Sequence, residues 1–226
     1  MSSTSRASRA FVAPFFVFIL LLAVADGVRG AFKGSAFFAL QSPKYWVFPL
    51  QTIVCGALLF YYRRDYPLAK PRKAWFALFI GALVFVLWVS PQEFFGAPRR
   101  FDGFDPEVFT GLLYSSSLAM RFVRLVIVVP LLEEIFWRGF LLRYLAGSDF
   151  QSVPFGAFAP APFAVVTLLF ALAHSWPDFW PALITGALYN LVAYRTRSLS
   201  ACVLAHALTN LLLGIYILHT RQWGFW

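Results

Sequence analysis

Apolar residues in this chain gather into long blocks with short polar breaks between them. The first runs from Ala10 to about Val28, and the second from Tyr45 to Tyr62, where Arg63, Arg64 and Asp65 end it. A third runs from Ala74 to Val89 and stops at Ser90-Pro91; a fourth starts near Ser117 and reaches about Leu145, before Gly147. A fifth opens at Pro160 or Pro162 and reaches His174, and the last two run from about Phe179 to Tyr194 and from Leu199 to Leu218. A helix crossing the hydrocarbon core takes roughly 20 mainly apolar residues. The pattern predicts an all-α, polytopic integral membrane protein, one domain over residues 1–226, with about seven transmembrane helices (roughly six to eight). Gln92 to Glu107 is the longest connection, and no internal repeat or low-complexity segment interrupts the series.

Composition turns this expectation into an exclusion. The chain is 60% apolar, 19% aromatic and 13% charged, with a mean hydropathy of +0.70. A soluble domain is about half apolar and a quarter charged, so a soluble globular enzyme is excluded, and so is disorder. The net charge of +9 belongs at lipid headgroups rather than on a nucleic acid. Cys55 and Cys202 both lie in apolar runs, so no disulfide framework is expected. Arg6 and Arg9 precede the first block; Arg63, Arg64, Lys70, Arg72 and Lys73 lie between the second and third; Arg195 and Arg197 lie between the last two. Strict alternation from a cytoplasmic N-terminus puts all of these inside and Gln92 to Glu107 outside. The first block also has a rival reading as a signal peptide, with Ala23-Val24-Ala25 as its small-residue cleavage site.

Ionisable groups inside membrane spans are costly and point to function. Among ten acidic residues, Glu133 and Glu134 fall well inside an apolar block, together with Arg121, Arg124 and Arg138. Residues four apart on a helix are neighbours, whereas adjacent ones diverge by about 100°. Glu134 and Arg138 are therefore expected to pair, leaving Glu133 available as a general base. His206 and Asn210 also share a face and together can donate to an oxyanion. From Pro162 to His174 the helix rises only about 18 Å, which leaves His174 inside the bilayer and Ser175 to Pro181 as broken backbone. Such backbone must line protein or a wet cavity, so a water-filled pocket beside Glu133 is expected. Asn190 and Thr185 read as packing polars, and Arg143 and Tyr144 as interfacial anchors.

Three motifs stand in order here. Glu133-Glu134-Ile-Phe-Trp-Arg138 has the form EExxxR, Phe170 to His174 the form FxxxH, and His206 to Asn210 the form HxxxN. The set resembles the CAAX protease and bacteriocin-processing (CPBP) family of intramembrane proteases, with the motif-bearing portion at about 117–218. The compact size and the approach to the first motif are also similar to CAAX-protease-related proteins found with bacterial exosortase sorting systems. The resemblance implies a multi-pass protein of a bacterial inner membrane with a catalytic pocket between helices. It implies that Glu133 and His174 activate water, that His206 and Asn210 hold the oxyanion, and that Glu134 and Arg138 support them. The implied partners are the lipid bilayer and a membrane-anchored peptide or protein substrate, with no nucleic acid and no cofactor.

Alternatives stay open at this point. Glu133 can be a buried acid satisfied by Arg121 or Arg124, and His206 with Asn210 can be polar glue between helices. A zinc-dependent version of the same protease would use Glu133, His174 and His206 as ligands, although there is no HExxH and adjacent glutamates do not easily reach one ion. A small transporter or immunity-type partner is the competing class. An enzyme acting on lipid or prenyl groups would need an Asp-rich diphosphate motif that the chain lacks.

Overall fold

The computed structural model describes residues 3–226, with side chains from Arg6 onward. The described residues form helices and no strands: α1 (Ser3–Ala31), the single turn α2 (Phe38–Gln41), α3 (Lys44–Tyr61), α4 (Ala74–Phe94), α5 (111–144), α6 (Pro160–Leu172), α7 (Phe179–Thr196) and α8 (Leu199–Thr220). The seven longer helices correspond to the seven apolar blocks. Arg6–Ala31, Ala74–Phe94 and Leu199–Thr220 are long and apolar enough to cross a membrane by length and composition. The fold is that of a polytopic, all-helical membrane protein.

Several boundaries differ from the sequence expectation, each for a local reason. The third helix does not stop at Ser90-Pro91 but runs on to Phe94. Pro91 has no N–H to give the Leu87 carbonyl, and the Ser90 hydroxyl donates to that carbonyl instead, at 3.0 Å. In α1 the same problem arises at Pro14, whose ring leaves the Ala10 carbonyl free; the Tyr66 hydroxyl answers it at 2.9 Å. Helix α5 begins at Gly111, six residues before the expected Ser117, with Leu112 and Leu113 turned outward. Helix α6 ends at Leu172, a single 3-10 turn covers Trp176–Asp178, and α7 is already helical at Phe179. The broken backbone is thus shorter than expected, since Phe179, Trp180 and Pro181 belong to α7.

Helix α5 runs through the middle of the molecule. Phe15 of α1 stacks on Phe136 of α5 with ring centroids 4.0 Å apart and planes within 3°. Ala10, Phe11 and Phe18 of α1 are buried as well, so α1 is part of the core rather than an appendage. On the other side α4 and α8 approach so closely at Gly81 that a Cβ there would sit 2.5 Å from the Ala205 carbonyl oxygen. The contact lets Thr209 donate to the Gly81 carbonyl at 2.8 Å, a small-residue interface of the kind membrane helices use.

Cross-links between connections sort the two ends of the bundle. Arg6 pairs with Asp65 at 3.3 Å, Lys73 donates to the Arg195 carbonyl at 2.8 Å, and the Arg72 N–H donates to Ser198. The basic connections therefore gather at one end. At the other, Arg100 pairs with Asp178 and Arg221 with Glu107, joining the 95–110 loop to the 173–178 turn and the C-terminal residues.

Candidate active site

The chemistry-bearing helix α5 is not a regular α-helix. It is π-helical at Val123–Val128 and again at Ile135–Leu141, and such bulges recur at functional sites. Pro130 helps to explain the first. The Val129 N–H bonds the Arg124 carbonyl, five residues back, while Pro130 has no N–H to offer. The Leu125 carbonyl is left without a helical donor, and Asn210 of α8 donates its amide to it at 2.8 Å. Truncating Asn210→Ala is expected to cost about 1–3 kcal/mol by orphaning that carbonyl. Adding Pro130→Ala restores an N–H and should recover part of the loss. Thermal unfolding in detergent micelles measures both.

The second bulge begins next to a closed ionic centre. Glu134 and Arg138 are both fully buried, and the Arg138 Nη1 donates to Glu134 Oε1 at 3.0 Å, the pair expected from their spacing. Arg138 also donates through Nε to Asn190 Oδ1 at 3.1 Å and through Nη2 to the Gly186 carbonyl at 3.1 Å. Asn190 is itself fixed by Thr167 Oγ1 at 3.1 Å and the Phe163 carbonyl. Gly186 allows this closeness, because a Cβ there would come within 3.1 Å of the Thr167 carbonyl oxygen. Phe170 and Tyr189 face the guanidinium at 4.9 and 5.4 Å. From α8, His206 brings Nδ1 to 2.9 Å of the same Glu134 Oε1, while Oε2 is buried without a partner.

Glu133 lies outside this network. It is half-buried and, among the described residues, makes no side-chain hydrogen bond or ion pair. Its field reaches Arg124, but neither Arg124 nor Arg121 bonds it. His174 stands just beyond the end of α6 and places Nδ1 at 2.7 Å from the Phe170 carbonyl. A carbonyl can only accept, so Nδ1 carries the hydrogen and Nε2 of the neutral ring presents a lone pair. Trp88 packs on His174 at 5.6 Å and is itself fixed by donating to Thr185 at 2.9 Å. Phe170 touches both His174 and Arg138, and Tyr189 touches both Arg138 and His206, so one aromatic layer links these groups.

The arrangement differs from the sequence expectation in several ways. His206 and Asn210 share a helix face, but one turns to Glu134 and the other to the Leu125 carbonyl. Asn190 is more than a packing polar, since it bonds Arg138. Arg143 is a helix cap and loop fastener, donating to the carbonyls of Gly139, Gln151 and Val153. Glu133 does not line the clefts that stand out; one of them, about 680 Å³, lies between the end of α1, the start of α3 and the 101–105 loop. Among the described residues no three His, Cys, Asp or Glu side chains gather as a metal set.

Comparison with known proteins adds one likeness. No curated protein and no solved structure matches the chain. Residues 114–212 match the family model for Rce1-like type II CAAX prenyl endopeptidases, a stretch that starts in α5, ends in α8 and contains Glu133, Glu134, Arg138, His174, His206 and Asn210. Over that stretch, which is less than half of the chain, it is similar to Rce1-like members of the CAAX protease family of membrane proteases.

Proposed function

We propose that the chain is an intramembrane endopeptidase in which a glutamate-activated water hydrolyses a peptide bond of a membrane-associated protein or peptide. The observation that carries this reading is the division of labour between adjacent carboxylates: Glu134 is tied into a buried ionic centre, while Glu133 makes no hydrogen bond or ion pair among the described residues. Glu133, helped by the Nε2 lone pair of His174, takes a proton from water as the oxygen attacks the scissile carbonyl. The C–N bond then breaks, and Glu133 returns the proton to the leaving amine.

His206 and Asn210 hold the developing oxyanion in this reading. Asn210 has two amide hydrogens, and the Leu125 carbonyl takes one of them. His206 meets Glu134 through Nδ1, which leaves Nε2 as the ring nitrogen available to the oxyanion. Glu134, held by Arg138, thereby orients the ring. The basic end of the bundle faces the cytoplasm, as Lys and Arg bias demands, and a bacterial inner membrane fits the resemblance.

Hydrolysis can be read from isotope. Cleavage of a membrane-anchored peptide in H₂¹⁸O by purified protein should place one ¹⁸O in the new C-terminal carboxylate, seen by mass spectrometry. Cleavage without that label rules out direct attack by water. The mechanism uses no cofactor. Stoichiometric zinc in active protein, with loss of cleavage on chelation, would instead make Glu133, His174 and His206 ligands.

A further inference from the structure

His174 owes its orientation to the place where α6 ends. In a continuing helix its N–H would donate to the Phe170 carbonyl, four residues back. Here that N–H goes to the Ala171 carbonyl instead, at 3.1 Å. The Phe170 carbonyl is thereby freed, and the His174 ring takes it through Nδ1 at 2.7 Å. One more turn of helix would return this carbonyl to the backbone. Nδ1 would then lose its acceptor, and the ring lone pair would no longer be confined to Nε2. The helix end therefore selects the tautomer.

The turn that stops the helix is fastened from outside. Ser175, Trp176 and Pro177 are exposed, and Asp178 folds back on them. Its N–H donates to the Ser175 carbonyl at 2.9 Å, and its carboxylate accepts from the Ser175 hydroxyl. Both carboxylate oxygens also accept from Arg100, Oδ1 from Nη1 and Oδ2 from Nη2, the latter at 3.1 Å. Such a two-point fork fixes direction as well as distance. Among the described residues these are the hydrogen bonds that tie the turn to another segment.

Arg100 is itself held firmly. Its N–H donates to Gln222 Oε1 at 3.2 Å, its carbonyl accepts from the Gly224 N–H at 2.8 Å, and its guanidinium lies over Phe225 at 4.7 Å. Gln222 is fully buried and donates to the Tyr216 hydroxyl, which donates to Glu93. Gly224 lets the two segments meet, since a Cβ there would sit 2.7 Å from the Arg100 Cβ. The anchor thus reaches back to α4 and α8, the helices that carry Trp88 and His206. We propose that Arg100 and Asp178 are positioning residues for His174: their ion pair ends α6 at Leu172 and so holds the ring with Nε2 free to assist Glu133. Neither residue touches the reacting atoms, and their part in the reaction rests on the proposed protease reading.

The test reads the ring and the rate separately. Detergent-purified protein labelled with ¹⁵N-histidine gives its imidazole spectrum at about pH 8, above the ordinary histidine range. The chain has three histidines, and the signal missing in His174→Gln identifies the one of interest. Wild type should show His174 as the Nδ1–H tautomer. Arg100→Gln and Asp178→Asn should each show both tautomers, with kcat for a membrane-anchored peptide down roughly tenfold and KM little changed. Gly224→Ala keeps both side chains of the pair and displaces Arg100, so it should act in the same direction by less. Arg100→Lys keeps the charge without the fork and should recover part of both losses. Each variant is read alone, so one that fails to fold leaves the others to decide. A pure Nδ1–H signal in the folded variants overturns the clamp, and so does a mixed signal with kcat unchanged. A tautomer shift in a protein whose wild type hydrolyses nothing keeps the hold on the ring and rejects the protease reading; hydrolysis with an unshifted tautomer does the reverse.

Discussion

Glu133→Gln is expected to abolish peptide hydrolysis, with a fall of roughly 10²–10⁴-fold or more, while the protein folds as before. Both halves of this expectation come from the surroundings of the side chain. Glu133 gives and receives no hydrogen bond among the described residues, so an amide of the same shape breaks nothing. The amide cannot take a proton from water, however, and the attack loses its base. Thermal unfolding in detergent should put the variant within about 0.5 kcal/mol of wild type, as for a substitution that severs no buried contact. Glu134→Gln is the informative contrast. It removes the charge that faces both Arg138 and His206, so it should lower stability and rate together. Full activity in Glu133→Gln sinks the mechanism, and equal effects of the two substitutions on stability sink the division of roles.

How far the sequence was legible depends on whether a feature is local. Long apolar blocks cannot be much else than helices in a membrane, so all seven were readable, and Glu134–Arg138 followed from four-residue spacing alone. Helix ends were less readable because proline is ambiguous. Pro91 looks like a terminator until the Ser90 hydroxyl is seen to take over the Leu87 carbonyl. Pro14 and Pro130 likewise free carbonyls, and the groups that answer them, Tyr66 and Asn210, come from distant segments.

The same limit applies within the site. His206 is 72 residues from Glu134 in the chain, and nothing in its own neighbourhood names that partner. Gly186 and Asn190 lie four apart on α7 and both reach Arg138, a usable signal only once α6, α7 and α5 are known to meet. The sequence admits Arg121 as a mate for Glu133, yet it sits among Phe48, Phe104 and Trp226, two of which come from outside the long helices.

Arg138→Met is expected to be the most damaging single change to the fold, costing about 3–5 kcal/mol. The guanidinium is wholly buried and makes three hydrogen bonds to three different helical positions, on Glu134, Asn190 and Gly186. Methionine fills much of the space between Phe170 and Tyr189 but leaves a buried carboxylate with His206 as its remaining partner, and takes the donor from Asn190 Oδ1. Lysine keeps the charge, yet a single ammonium on a flexible stem cannot reproduce the planar fork, so Arg138→Lys should recover only part of the loss. Pairing is tested by adding Glu134→Gln. If the cost of Arg138→Met is mainly an uncompensated charge, the double variant should be more stable than the sum of the single effects predicts, with a coupling of about 0.5–3 kcal/mol. Strict additivity would instead assign the loss to packing against Phe170 and Tyr189. In either outcome Glu133 is unchanged, so residual cleavage in the folded fraction of Arg138→Met reports how much of the rate depends on His206 being held by Glu134.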